Sequence, residues 1–332
     1  MLILILTNRN IKLIDITNFK INNKNLKLCC DDLNTPSCIV KLNDDKILCT
    51  DTQYGIIEID INNFNKKPYL EKNQYITGEK LCSFVIKNES TLLLANMAKG
   101  CIEIVSKNNP KKILFDNING EPLGRVNFMC PDKHGGFYVT ISSRKQDAAK
   151  SLNSKCQDGY LAHFDINNNI KIVAENLKFP NEARVDEKGE YLYVAETAGK
   201  CVSRFKILDN NNLGDKEIFG PENFGPGGYP DGICFDTQGN LWGTLVFGEI
   251  LYFITKDQKL NIVLDLGNKD QIKKLDKEFN TNYISPDIGK SVANKIIPLP
   301  VSMTFAGKDN KTVFIGNNGK KLAYFRAPIA GL

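Results

Sequence analysis

The sequence predicts an all-β chain folded as a six-bladed β-propeller closed by an N-terminal strand. Two observations carry that reading. A unit of strand, polar turn, strand recurs at residues 37–50, 82–95, 127–140, 181–195, 230–244 and 301–316. Its second strands end at residues 50, 95, 140, 195, 244 and 316, so successive units lie 45, 45, 55, 49 and 72 residues apart. A period of roughly 40–50 residues built from short strands marks propeller blades or a solenoid. Within each unit, apolar and polar residues alternate, or a short apolar run is bounded by Gly, Asn and Asp, as in sheet strands. Six blades of about four strands account for nearly all 332 residues as one domain, 1–332.

The clearest unit is PDGICFDTQGNLWGT. It opens with Asp231 beside Gly232, continues through the apolar Ile233, Cys234 and Phe235, turns at Gly239 and ends at Thr244. The segments NFMCPDKHGGFYVT, NEARVDEKGEYLYVA and VSMTFAGKDNKTVFIG repeat the plan, and SCIVKLNDDKILCT and CSFVIKNESTLLLA do so more weakly.

Taken in order, residues 1–35 hold two or three short strands, including Ile11–Ile16 and Leu26–Cys30, and MLILIL reads as an edge strand. Part of this segment is expected to join the last blade and leave no open edge. Blades are expected at about 36–62, 79–106, 122–174, 178–220, 229–265 and 299–328. Blade three carries an insertion over 141–158, in which Gln146–Leu152 could form a helical turn or two. LDNNNLGDKE in blade four resembles a calcium loop but has Leu213 at a ligand position and Gly220 where a bidentate Glu belongs, so it reads as a hairpin turn. Residues 266–298 form a long connection in which Ile272, Leu275 and Phe279 have helical spacing. Such a loop is either a lid or decoration on the rim.

Composition narrows the function classes. The net charge is +5, from 43 Lys and Arg scattered among 38 Asp and Glu. No basic stretch is interleaved with aromatics, so no nucleic-acid partner is expected. The six apolar residues of MLILIL are too few for a signal h-region and far from the ~20 that span a bilayer, so no membrane role is expected. The ten cysteines include no CxxC. Several, such as Cys49, Cys82, Cys130 and Cys234, sit in apolar strand patterns as small hydrophobes. They read as core thiols in a reducing compartment, and a cytoplasmic location is expected.

Inner strands of a propeller begin near its axis, so equivalent residues converge there. Counting back from each second-strand end gives Ser37, Cys82, Asn127, Asn181, Asp231 and Ser302. Two asparagines and an aspartate at matching positions make a set of hard oxygen ligands suited to a divalent cation such as calcium, magnesium or manganese. The competing reading is that Asn and Asp cap strand entries in turns.

These positions and their flanks, GRVNF at 124–128, FPNEARVDEKGEYLYVAET at 179–197 and YPDGICFDTQGNLWGT at 229–244, resemble the SMP-30/gluconolactonase/luciferin-regenerating-enzyme family of six-bladed β-propellers. The resemblance implies metal binding by the residues at Asn181 and Asp231, a metal or substrate contact at Asn127, and substrate binding by Arg125. It also shows two departures. The family's first metal ligand is a Glu at the start of blade one, where TPSCIV places Ser37. One carboxylate instead of two implies weaker binding of a divalent ion. The family's lactone-opening members often carry acids after the second strand of blade three, where ISSRKQ places Arg144 and Lys145, favouring an anionic or differently shaped substrate.

The function implied is a metal-dependent lactone hydrolase acting on a small molecule. One divalent cation at Asn127, Asn181 and Asp231, calcium first and zinc, manganese, magnesium or iron(II) next, would polarise the carbonyl. Asp231 would serve as base, Arg125 would orient the substrate, and Ser37 and Ser302 would complete its binding ring. Glu182 is a candidate to support Asn181 or a structural acid. Serine–histidine catalysis is disfavoured, because His134 lies in a turn and His163 in a strand away from the axis. Two alternatives stay open: a propeller without hydrolysis that binds a ligand or partner protein, and another reaction, such as a cyclisation or phosphoester-type hydrolysis, in the same pocket.

Overall fold

In blades three to five the polar turn of each unit is organised by its aspartate. Asp132 Oδ1 accepts from the backbone nitrogens of His134 and Gly136, both at 2.7 Å. Asp186 Oδ1 accepts from Glu190 N at 2.8 Å, and Asp236 Oδ1 from Gln238 N at 2.9 Å and Asn240 N at 3.0 Å. A carboxylate that satisfies the turn's own amides fixes the hairpin at that point of the sequence. The structure, a computed structural model, describes residues 14–71, 74, 81–88, 90–106, 109–145 and 148–332.

Six four-stranded antiparallel sheets follow in chain order, with a short hairpin of Asn117–Ile118 against Glu121–Pro122 between the second and third. Their inner strands are Ile39–Asn43, Leu81–Asn88, Val126–Pro131, Pro180–Val185, Pro230–Phe235 and Pro300–Ala306. Neighbouring sheets meet through these strands around a full circle, and the last sheet contacts the first. The protein is a six-bladed β-propeller. In the sixth sheet the outer strand is Lys27–Cys29, which pairs antiparallel with Leu322–Arg326. Residues 14–16 are not in a strand, and the expected strand over MLILIL, with the first half of Ile11–Ile16, lies outside the described residues. The fourth strands of the first two blades, Lys66–Pro68 and Asn109–Phe115, fall beyond the expected ends; both are largely exposed and carry paired lysines, and only the second holds a short apolar run, ILF.

The core lies between blades. Trp242, fully buried, packs on Phe253 at 5.0 Å, Phe305 at 5.8 Å and Phe325 at 6.2 Å between ring centroids, and its Nε1 donates to Asp236 Oδ2 at 2.9 Å. That bond lets a Trp be completely desolvated without a buried orphan donor. The ten cysteines form no disulfide, and all but Cys82 are buried.

Two connections leave the ring. The blade-three insertion contains a single helical turn, α1 (Ala148–Ser151), within the span expected to be helical, of which 146 and 147 lie outside the described residues. The long connection after blade five forms α2 (Lys269–Thr281) and a second helix, α3 (Pro286–Ser291). Asn268 caps α2 by accepting from Asp270 N and Gln271 N, and Ile272, Leu275 and Phe279 form its buried face. Ser285 caps α3, with Pro286 in its first turn. The segment LDNNN forms a turn with a short 3-10 piece, Asp209–Asn211, between Cys201–Ile207 and Leu213–Ile218. Among the described residues no helix is long and apolar enough to cross a membrane.

Candidate functional site

The inner strands share a defect that builds the site. Their ladders slip between Leu81 and Ser83, Val126 and Phe128, Pro180 and Ala183, Pro230 and Ile233, and Pro300 and Ser302. Such a bulge re-aims the residue it leaves unpaired. Cys82, Asn127, Asn181, Asp231 and Val301 are the first residues after each slip begins, and all line one cavity of about 400 Å³ together with Ser37. Threonines on the second strands pin the register: Thr50 Oγ1 accepts from Ser37 N and Cys38 N, Thr140 Oγ1 from Phe128 N and Thr244 Oγ1 from Gly232 N, each at 3.0 Å.

Of the expected site residues, Ser37, Arg125, Asn127, Asn181 and Asp231 line this cavity. Ser302 does not. The bulge in blade six sets the ring position one residue earlier, at Val301, and Ser302 lies fully buried behind it. Its hydroxyl bonds the Glu182 carboxylate and its Oγ accepts from Ile39 N at 3.4 Å. Two glycines allow the close approach. A Cβ on Gly232 would lie 2.5 Å from Ser302 Cα, and one on Gly124, where φ is +90°, would lie 2.5 Å from the Ser143 carbonyl oxygen. Gly124 thereby seats Arg125, whose backbone pairs with Ser142 and Ser143 at 2.9 Å. The Arg125 guanidinium is buried, donates to Met97 Sδ at 2.7 Å and stands 5.9 Å from the Phe179 ring centroid.

A second ring, one residue past the end of each second strand, supports the first. Asn127 Nδ2 donates to Ser142 Oγ at 2.8 Å, and Asn181 Nδ2 to Thr197 Oγ1 at 3.2 Å. The two hydroxyls donate on to the carbonyls of Pro180 and Pro230 at 2.8 and 2.7 Å. With both amide nitrogens engaged, the Oδ1 atoms of Asn127 and Asn181 are the groups left to face the cavity beside the half-buried Asp231. Two amide oxygens and one carboxylate are hard donors that fit a divalent cation. The charge available is that of one ring carboxylate. Among the described residues no cluster of three His, Cys, Asp or Glu offers a different metal site.

Glu182 is the functional-site residue whose reading changes most. It lines the cavity, is 3% exposed, and takes hydrogen bonds from Arg184 Nη2 at 2.9 Å and Ile233 N at 3.1 Å. Burial raises its carboxyl above the ordinary range, against the opposing pull of Arg184. The second-ring residues Met97, Thr197, Val246 and Asn318 also line the cavity. Their signal was present in the sequence as a fixed offset from each second-strand end.

Arg144 and Lys145 do not reach the site. Arg144 pairs with Glu175 at 2.6 Å and stacks 4.4 Å from the Tyr160 ring, and neither residue lines the cavity, so they give no reason to expect an anionic substrate. His163 is buried against Asp132 at 2.6 Å, outside the cavity lining, and belongs to the blade-three turn.

The SMP-30/Gluconolactonase/LRE-like region family model matches residues 30–272. Adipocyte plasma membrane-associated protein of Rattus norvegicus is 26% identical over 227 residues, 64% of this chain and 59% of that protein. Protein STRICTOSIDINE SYNTHASE-LIKE 7 of Arabidopsis thaliana is 24% identical over 180 residues, 52% of this chain and 46% of that protein. The chain thus spans about half the length of the curated relatives it matches. A gluconolactonase from Xanthomonas campestris superposes with a TM-score of 0.67 at 15% identity, over 91% of this chain and 89% of that one. The calcium-binding protein regucalcin from Agrobacterium tumefaciens does so with a TM-score of 0.63 at 12% identity, over 92% and 96%. At such identities the two structures show a common fold. The match over residues 30–272 shows more: this chain belongs to the SMP-30/gluconolactonase/LRE-like family.

Proposed function

We propose that the protein is a carboxylic ester hydrolase that opens a lactone at the polar floor of the cavity, using one divalent cation. The observation that carries this reading is the anchoring of the Asn127 and Asn181 amide nitrogens, which leaves two amide oxygens beside Asp231. Asn127, Asn181 and Asp231 would hold the cation, with calcium the first candidate and zinc, manganese, magnesium or iron(II) the others. A bound divalent ion supplies Lewis-acid polarisation of the substrate carbonyl.

The chain's own groups do the rest. The Asp231 carboxylate takes the proton of the attacking water. Arg125, held by Met97 and Phe179, donates to the substrate's oxygens and keeps them in register. Ser37 offers a hydroxyl where the family resemblance places a carboxylate; its Oγ lies 3.1 Å from Thr50 Oγ1. The reducing, cytoplasmic setting is supported by ten cysteines that form no disulfide.

Metal content by mass spectrometry, with calorimetric titration of calcium, manganese, zinc and iron(II) into chelated protein, tests the proposal. One tight equivalent that disappears in Asp231→Ala is expected. No binding at millimolar metal would sink it.

A second reading is favoured by Ser37: with one ring carboxylate, the propeller binds a small ligand without hydrolysing it. Ser37→Glu separates the two. If tight metal binding arises only in the variant, the natural protein is not a metal hydrolase.

A further inference from the structure

The floor of the cavity is polar, whereas most of its wall is apolar, with Ser285 and Lys290 on the α3 side as its polar members. Leu152 enters from the blade-three insertion, Phe247 from the turn after the second strand of blade five, and Ile284 from the α2–α3 connection. Leu299 and Val301 continue the wall into blade six. The five belong to a single apolar cluster that also contains the buried face of α2. The wall therefore comes partly from segments added to the propeller, and it lines the same cavity as Asn181 and Asp231.

We infer that the substrate is a lactone whose carbonyl meets the polar floor while its ring substituent is apolar, rather than a polyhydroxylated sugar lactone. The inference rests on the hydrolase reading above and deepens it. A sugar hydroxyl pressed against Leu152, Phe247 and Ile284 loses its water and finds no partner, which costs roughly five- to hundredfold in affinity for each such group. An alkyl substituent in the same place gains roughly fourfold for each methylene buried. The balance over several substituent positions favours the apolar substrate by a wide margin. A cavity of about 400 Å³ accommodates a lactone ring with a short alkyl chain.

The test compares δ-decalactone with D-glucono-δ-lactone, which share a six-membered lactone ring and differ in what it carries. Both are assayed with the intact calcium-loaded protein, and again with Leu152→Asn and Phe247→Ser, two half-buried positions whose folding is checked by thermal melting. The expected result is a preference for δ-decalactone of at least tenfold in kcat/KM, reduced fivefold or more in both variants. Equal turnover or a preference for the sugar lactone overturns the inference and leaves the hydrolase reading standing. A preference for δ-decalactone unchanged in folded variants also overturns it, since the wall would not be its source. Turnover of neither lactone overturns the hydrolase reading and the inference with it.

Discussion

Asn127 Nδ2 donates to Ser142 Oγ at 2.8 Å, and Ser142 passes its own hydrogen on to the Pro180 carbonyl at 2.8 Å. The bond fixes which end of the amide looks into the cavity, and it ties blade three to blade four. Ser142→Ala removes both functions. Cation affinity is expected to fall about tenfold, the scale on which groups that orient ligands act. Stability is expected to fall by about 1 kcal/mol, because the Pro180 carbonyl loses its partner. Calorimetric titration and urea denaturation check the two effects, and unchanged cation affinity would show that Asn127 is no ligand.

Glu182 and Arg184 sit two apart on the inner strand of blade four, so their side chains share one face and meet across 2.9 Å. Arg184 also lies over the Phe128 ring, 4.5 Å from its centroid. Arg184→Met leaves the buried carboxylate without its cation and is expected to cost about 3 kcal/mol. Because Arg184 holds down a carboxyl that burial pushes up, its loss raises that carboxyl further. The cost is therefore greatest at high pH and shrinks as pH falls from 8 toward 5 and protonation of Glu182 becomes easier. The double variant with Glu182→Gln is expected to recover most of the loss. Urea midpoints at the two pH values decide it.

Glu249 makes a separate pH prediction. It is buried, its Oε1 accepts from Leu299 N at 2.8 Å, and its other oxygen takes the Asn294 side-chain amide. Burial outweighs these bonds and pushes its carboxyl up to about 7 from 4.5. The folded protein thus holds this proton more tightly than the unfolded chain does. The stability involved is fully present below pH 4.5 and is lost as pH rises through about 7. The integrated effect is on the order of 3 kcal/mol. Denaturation midpoints should fall between pH 5 and pH 8, and Glu249→Gln, which imitates the protonated acid, should flatten that slope.

Asp276 clamps α2 to the ring. Its Oδ1 accepts from Lys200 Nζ and Tyr229 Oη, both at 2.6 Å, and its Oδ2 from Gly227 N at 3.0 Å. Asp276→Ala strands a half-buried lysine and a buried phenol, at a cost of about 3 kcal/mol. Hydrogen exchange should accelerate over 269–299 and stay unchanged in blades one and two. Uniform acceleration would mean that α2 is not an independently held element.

The propeller was legible because each blade repeats the same local chemistry, down to aspartates at 132, 186 and 236 that close equivalent turns. Five of the six expected site residues with assigned roles fall in one cavity for the same reason. Ser302 was misplaced because both strands of the blade-six hairpin run one residue longer than in blade three, Pro300–Ala306 against Val126–Pro131 and Thr312–Asn317 against Phe137–Ile141, so the same count from the second strand stops short of Val301. Glu182 was undervalued because its role depends on Arg184, Ile233 and Ser302, which approach it from two other blades as well as its own. The wall from α3 gave little periodic signal, since PDIGKS buries only Gly289, although Ser285 and Pro286 mark its start.

The pairing of Lys27–Cys29 with Leu322–Arg326 has a kinetic consequence. The sixth sheet cannot be completed on a ribosome until residue 326 has emerged, so the seam must wait while the earlier blades assemble. The entropy of joining such distant segments grows only with the logarithm of the separation, and the thermodynamic burden is modest. The rate is another matter, since contacts between remote parts of a chain form late. Until the seam forms, Leu322–Arg326 presents an unpaired sheet edge to its surroundings. That interval is the stage at which a nascent chain of this design is most exposed to mispairing with a neighbour.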